Sequence, residues 1–204
     1  MIVALEPPAL VLRTPRLTLR PLAPEDEDIQ RALLTNPEVV RYVTDPLTPA
    51  QVARRMVQAV RRGAGGRIGA WTVTVTATGE KIGDGVLTPV PFDEKETPWN
   101  QVHADAWPEN PVEVGYMLLR HVWGQGYATE ICERLLRFAF ERTDLGQVVA
   151  CTDPDNAASR RVLHKCGMRD CGQVWAYGEM VAWFEMRRAD WETRVRRRNP
   201  RSAG

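Results

Sequence analysis

Val112–Glu130 reads VEVGYMLLRHVWGQGYATE, an apolar strand that runs through a Gly-x-Gly turn directly into a helix. Val112, Val114, Tyr116 and Leu118 alternate with the opposite face, which is the period of a strand. Within Ala128–Arg142, Ala128, Ile131, Leu135, Phe138 and Ala139 recur at three- and four-residue spacing, which is the period of a helix face. Gly124 and Gly126 permit a tight turn between the two and keep side chains off the backbone. The first N–H groups of a helix lack intrahelical partners, and the helix dipole favours negative charge there. A strand, glycine turn and helix in this order therefore suit a phosphate or pyrophosphate.

The spacing excludes two familiar phosphate motifs. A P-loop needs a lysine after its last glycine, whereas this turn continues Tyr127-Ala128-Thr129. A dinucleotide fingerprint needs a third glycine where Thr129 stands.

The turn Trp123-Gly124-Gln125-Gly126-Tyr127-Ala128-Thr129-Glu130 resembles the acetyl-CoA pyrophosphate loop of the GNAT superfamily of N-acetyltransferases. It is most similar to the branch holding the Rim-type enzymes, which acetylate the N-termini of ribosomal proteins. Trp123 departs from the superfamily's usual Gln or Arg at the first position, but is the form this branch favours. Asp155–Ser159 with Val162–Met168 resembles the segment that follows the fifth strand, and Thr14–Leu22 resembles the first strand. The resemblance covers residues 12 to 187, read here as one N-acetyltransferase domain, with 188–204 as a basic C-terminal tail.

Composition agrees with one globular domain. The chain has 204 residues, of which 44% are hydrophobic and 26% charged. No apolar run reaches the roughly eighteen residues of a membrane span. Met1–Leu12 has no basic leader and is interrupted by Glu6-Pro7-Pro8, so no signal peptide is expected and a cytoplasmic location is. Cys132, Cys151, Cys166 and Cys171 show no C-x-x-C spacing and read as reduced cysteines. The histidines are scattered, so no metal site is expected.

The remaining elements follow from local signals. Arg16–Pro21 reads as a strand, and Pro24-Glu25-Asp26-Glu27 opens a helix that runs to about Thr35. A short helix starts near Pro37, and Thr48-Pro49 caps another that continues to about Arg62. Ile68–Ala77 and Lys81–Val90 form a hairpin around Thr78-Gly79. After the glycine junction come a strand at Gln147–Cys151, a helix at Ala157–Cys166, and strands near Cys171–Ala176 and Met180–Arg187. This order predicts an α+β fold, a mixed and mostly antiparallel sheet of about seven strands with helices on both faces, as the GNAT resemblance also implies.

Amine acetylation needs a neutral amine at a thioester carbonyl, a route for its proton, and a donor or solvated exit for the thiolate. Glu113 begins the central strand, where a carboxylate can act as the base. The resemblance places Ser159 near the thiolate, as general acid or thiol hydrogen-bond partner. Many relatives carry a catalytic tyrosine further along this helix, where Leu163 stands here; Tyr116, Tyr127 and Tyr177 are substitutes by proximity only. For acetyl-CoA, the resemblance implies that the Trp123–Ala128 backbone, through Gly124, Gln125, Gly126 and Tyr127, cradles the pyrophosphate, with the Thr129 hydroxyl beside it. Met117, Leu118 and Leu119 would offer backbone groups to the pantetheine arm, and Asn156 would bond its amides. Arg160 or Arg161 would reach the adenosine phosphate, and Trp123 would pack on the helix.

The acceptor is a primary amine, either a small molecule or a protein N-terminus. Pro91–Pro111 holds Asp93, Glu94, Glu96, Asp105 and Glu109 against Lys95, with Trp99 and Trp107, and could draw a cationic amine. From Arg187 onward, seven arginines face Asp190 and Glu192. Without interleaved aromatics, Arg194–Arg201 reads as a solvated, partly disordered tail more readily than as an RNA- or ribosome-binding arm. A catalytically silent acyl-CoA sensor is the other alternative. Homodimers are common among relatives, and no local feature here predicts an interface.

Overall fold

The structure is a computed structural model that describes residues 2–198. The strands are β1 (Leu12–Arg13), β2 (Leu17–Pro21), β3 (Gly69–Val75), β4 (Lys81–Pro89), β5 (Val112–Leu118), β6 (Gln147–Thr152), β7 (Arg169–Ala176) and β8 (Glu179–Arg187). The helices are α1 (Glu27–Leu34), α2 (Pro37–Val40), α3 (Pro49–Ala59), α4 (Tyr127–Arg142), α5 (Ala157–Cys166) and α6 (Arg188–Arg198). All eight strands join one sheet in the order β1-β2-β3-β4-β5-β6-β8-β7. Every pairing is antiparallel except β5 with β6.

The mixed sheet matches the expected fold class, with one strand added. That addition is β1, whose two residues are too short to leave a readable period. The helix expected to reach Arg62 stops at Ala59, because Arg62 turns inward and donates to Gly66 and Ala70 carbonyls while stacking over Trp71 at 4.0 Å. Thr48 caps α3 as its sequence predicts, with Gln51 closing the reciprocal bond.

Both sheet faces are covered. Val114, Leu118, Ile131, Leu135 and Phe138 share one buried cluster, which sets α4 against β5. On the other face Met117 packs with Ile29, Leu33 and Leu34 of α1 and Val52 of α3. Of the basic segment 188–204, in which Arg194–Arg201 was expected to be solvated, residues Arg188–Arg198 fold into α6, which lies back on the domain. Trp191 stacks on Phe140 with centroids 5.3 Å apart. Arg188 donates to the carbonyls of Phe140, Thr143 and Leu145, which caps the end of α4. The end of the basic segment, 199–204, lies outside the described residues.

Candidate active site

β5 and β6 part almost as soon as they meet. Their parallel pairing consists of the single register Glu113↔Val149, so Gly115–Leu118 have no partner on that side. A split sheet leaves backbone groups facing a cleft instead of a ladder. A cavity of 780 Å³ runs through this opening and is lined on one side by the Gly124–Thr129 turn and on the other by α1, α2 and α3.

The glycine turn has the geometry of an anion cradle. Gly126 is the N-cap of α4 at φ 83°, and no side chain caps that helix. Gly124 also has a positive φ, 76°, and a Cβ there would meet no atom within 4 Å. Exposed N–H groups at a 16-residue helix thus face an open space. Arg160, by contrast, is committed to Asp170 at 3.0 Å and to the Pro154 carbonyl, whereas Arg161 and Lys165 line the cavity. This donor set fits a pyrophosphate with a further phosphate beside it.

The backbone expected to receive the pantetheine arm divides by ladder alternation. Met117 N–H lies 3.1 Å from an Asp84 carboxylate oxygen, and Leu119 N–H donates to the Ile82 carbonyl, so both turn toward β4. Tyr116 and Leu118 turn the opposite way, toward the cleft. Trp123 is 42% exposed; its indole N–H donates to the Leu118 carbonyl at 2.8 Å, with the Arg120 guanidinium over its ring. Asn156 caps α5 by accepting the Ser159 N–H at 3.0 Å, and the residue also lines the cavity.

The two expected catalytic residues lie on opposite faces of β5. Glu113 shares a face with Gly115 and Met117, toward the cavity half walled by α1–α3, and is 5% exposed. Burial pushes its carboxyl pKa up to about 8, partly offset by a hydrogen bond from the Cys151 thiol. Tyr177, at the tip of the β7–β8 hairpin, donates its hydroxyl to Glu113. Ser159 lies on the other face, its hydroxyl 3.2 Å from the Tyr116 hydroxyl. Burial holds the Tyr116 phenol far above its usual range, so it stays a neutral donor. Leu163, standing where many relatives place a tyrosine, is buried in the core.

Two features of this site escaped sequence reasoning. Asp84 is a buried carboxylate on the cavity floor, held by the Gln30 amide at 2.8 Å, and it read only as one polar residue within an apolar strand. Tyr177 and Glu113 are 64 positions apart, so only the fold brings them together. The acidic Pro91–Pro111 segment contributes Thr97 and Trp99 to the cavity, while Trp107 lines a separate depression beside Leu145 and Arg187. None of its acids is a cavity residue, so uncharged side chains form its contribution to the wall.

Residues 16–169 match the family model of the acetyltransferase (GNAT) domain. The uncharacterized N-acetyltransferase p20 of Bacillus licheniformis is 28% identical over 168 residues, 81% of this chain and 86% of that protein. The FsC-acetyl coenzyme A-N(2)-transacetylase of Aspergillus fumigatus is 33% identical over 162 residues, 77% of this chain and 64% of that protein. Among solved structures, the ribosomal L7/L12 alpha-N-protein acetyltransferase RimL in complex with coenzyme A superposes with a TM-score of 0.66. That likeness covers 87% of this chain and 97% of that one at 15% identity, and is one of fold.

Proposed function

Since the chain belongs to the GNAT family and is an acyl-CoA-dependent N-acetyltransferase, we propose that it moves acetyl from acetyl-CoA to a primary amine by direct attack on the thioester. The observation that carries this reading is the placement of Glu113 and Ser159 on either side of β5, both on the cavity that the glycine turn enters.

Acetyl-CoA supplies the activated acetyl group, and the chain supplies everything else. The N–H groups of Gly126–Ala128, with Thr129, hold the pyrophosphate, and Arg161 and Lys165 meet the remaining phosphate. The cleft-facing amide of Leu118 and the Asn156 side chain guide the pantetheine arm. Glu113 takes the proton of the incoming ammonium, directly or through one water. A carboxylate with a pKa of about 8 is well matched to that exchange near neutral pH. The neutral amine attacks the carbonyl carbon, the C–S bond breaks, and the Ser159 hydroxyl returns a proton to the thiolate. Tyr116 re-protonates Ser159 in concert through their shared hydrogen bond and regains a proton, by way of water, from the acylated nitrogen, so no charge rests on the phenol. Overall, one ammonium and one thioester become an amide, a thiol and a released proton.

Free-thiol release from acetyl-CoA against a panel of amines and N-terminal peptides tests this reading, with Gly126→Glu as control. The added carboxylate would repel the pyrophosphate, at a position whose positive φ already disfavours a side chain. Release that the control abolishes supports transfer. Binding of acetyl-CoA without release on any acceptor overturns it in favour of a silent acyl-CoA sensor.

A further inference from the structure

The half of the cavity beyond Glu113 separates its charges. On the sheet side lie the carboxyl groups of Glu113 and, at the rim, Glu179. On the helical side lie Arg55 of α3 and Arg41, just beyond α2. Neither arginine makes a hydrogen bond or ion pair with the described residues: Arg41 lies over the Tyr42 ring at 5.1 Å, and Arg55 interacts with Asp84 only through space. Arg120, a third guanidinium on the wall, already faces Glu38 at 3.6 Å. Asp84 is already occupied by Gln30 and the Met117 N–H, and burial pushes its carboxyl pKa up, which weakens its claim on Arg55.

Arg55 is half-buried without a bonded carboxylate, and Arg41 is exposed on the same wall; the fork of each guanidinium matches a carboxylate or phosphate. Gly115 adds no side chain of its own to the floor between the two ends, where a Cβ would press within 2.9 Å of the Val86 side chain. Along β4 and β5, Asp84 lies opposite Met117, four residues beyond Glu113, or about 13 Å at the rise of a strand.

Resting on the acetyl-transfer reading, we infer that the acceptor is a small amine whose far end carries a carboxylate or phosphate. The amine is received at Glu113, and the anion by Arg55 and Arg41. The charge pattern of the cavity is then the complement of the acceptor, which orients the amine toward the thioester.

The test compares butylamine, γ-aminobutyrate, aminopropyl phosphate and putrescine as acceptors in steady-state thiol release. Titration calorimetry of the same compounds into CoA-loaded protein gives a readout independent of turnover. One anionic acceptor should exceed butylamine by at least about tenfold in kcat/KM, as a charged hydrogen bond predicts. Which of the two anions does so identifies the group. Arg55→Gln and Arg41→Gln should each shrink that ratio mainly through KM, and Arg55→Glu should turn the preference toward putrescine. Circular dichroism confirms that each variant is folded. Equal use of butylamine and both anionic amines overturns the inference, as does a wild-type preference for putrescine, which would assign the far end to Asp84. Arg55-dependent binding of an anionic amine without thiol release supports this inference while counting against transfer. Neither binding nor release of the anionic amines overturns it.

Discussion

Arg16, in the turn between β1 and β2, grips Glu130 on the first turns of α4: its Nε lies 2.7 Å from one carboxylate oxygen, and its backbone N–H reaches the other at 3.0 Å. The same guanidinium donates to the Gln125 carbonyl at 3.0 Å and lies over the Tyr127 ring at 4.4 Å. Thr14 adds its hydroxyl to Glu130. Burial works against the Glu130 carboxylate, but the bonds from Thr14 and Arg16 hold its pKa below the usual range. One arginine therefore fixes both the glycine turn and the helix that follows it, in the manner of a group that orients a ligand-binding backbone.

Arg16→Ala is accordingly expected to weaken acetyl-CoA binding by about tenfold, roughly 1.4 kcal/mol. Arg16→Lys should recover only part of this, because an ammonium cannot hold the carboxylate and the Gln125 carbonyl in one plane. Titration calorimetry with CoA measures both. An unchanged Kd in Arg16→Ala would show that the turn holds its shape without the guanidinium.

The local part of this architecture was legible in the sequence. The Val112–Leu118 alternation, Gly124 with Gly126, and the Thr48-Pro49 cap each report a conformation set within a few residues, and each appears where expected. Relationships that depend on tertiary distance were not legible. Glu113 reads as a strand carboxylate, and nothing nearby in the chain announces Tyr177 or Cys151 as its neighbours. Arg16 reads as one more basic residue until α4 is packed beside it. The arginines after 187 read only as a basic tail because charge is the only signal they carry. Their docking rests on Trp191 and on the unpaired carbonyls at the end of α4, which no composition measure sees.

Glu113→Gln should lower kcat/KM by about a hundredfold or more, within the range of general-base contributions. In the wild type kcat/KM should rise with pH through about 8, where burial has placed the carboxyl, and this limb should vanish in Glu113→Gln. The stability consequence has the opposite sense. A carboxyl whose folded pKa is raised favours the folded state below its ordinary pKa, and this contribution is lost as pH rises through the folded value. Glu113→Gln should therefore gain in Tm relative to wild type between roughly pH 5 and pH 8. A pH-independent difference in Tm would contradict the burial argument.

Ser159 and Tyr116 share one hydrogen bond at 3.2 Å, so their loss should not be additive. Ser159→Ala is expected to lower kcat by about tenfold to a hundredfold if it returns the proton to the thiolate. Tyr116→Phe should cost less, and the double variant should be no slower than Ser159→Ala alone. A solvent isotope effect on kcat present in the wild type and lost in Ser159→Ala would place the proton transfer at that hydroxyl. Independent, multiplicative losses in the two variants would break the relay.

The last prediction concerns α6. Trp191 is half-buried on Phe140 at 5.3 Å, and Arg188 donates to three carbonyls at the end of α4, the helix whose beginning holds the glycine turn. If the packing of α6 sustains the far end of α4, Trp191→Ala should cost about 2 kcal/mol of stability, the sum of lost apolar burial and an aromatic pair. For a domain near this size that is a fall in Tm of roughly 4 to 8 °C. The loss should appear in denaturant midpoint with little change in slope, since the unfolded surface is nearly the same. Acetyl-CoA affinity should stay within about twofold, because Arg16 and Thr14 anchor the opposite end of α4 independently. A Tm equal to wild type would mean that α6 lies on the domain without stabilising it. A large fall in CoA affinity would mean that the two ends of α4 are coupled through the helix.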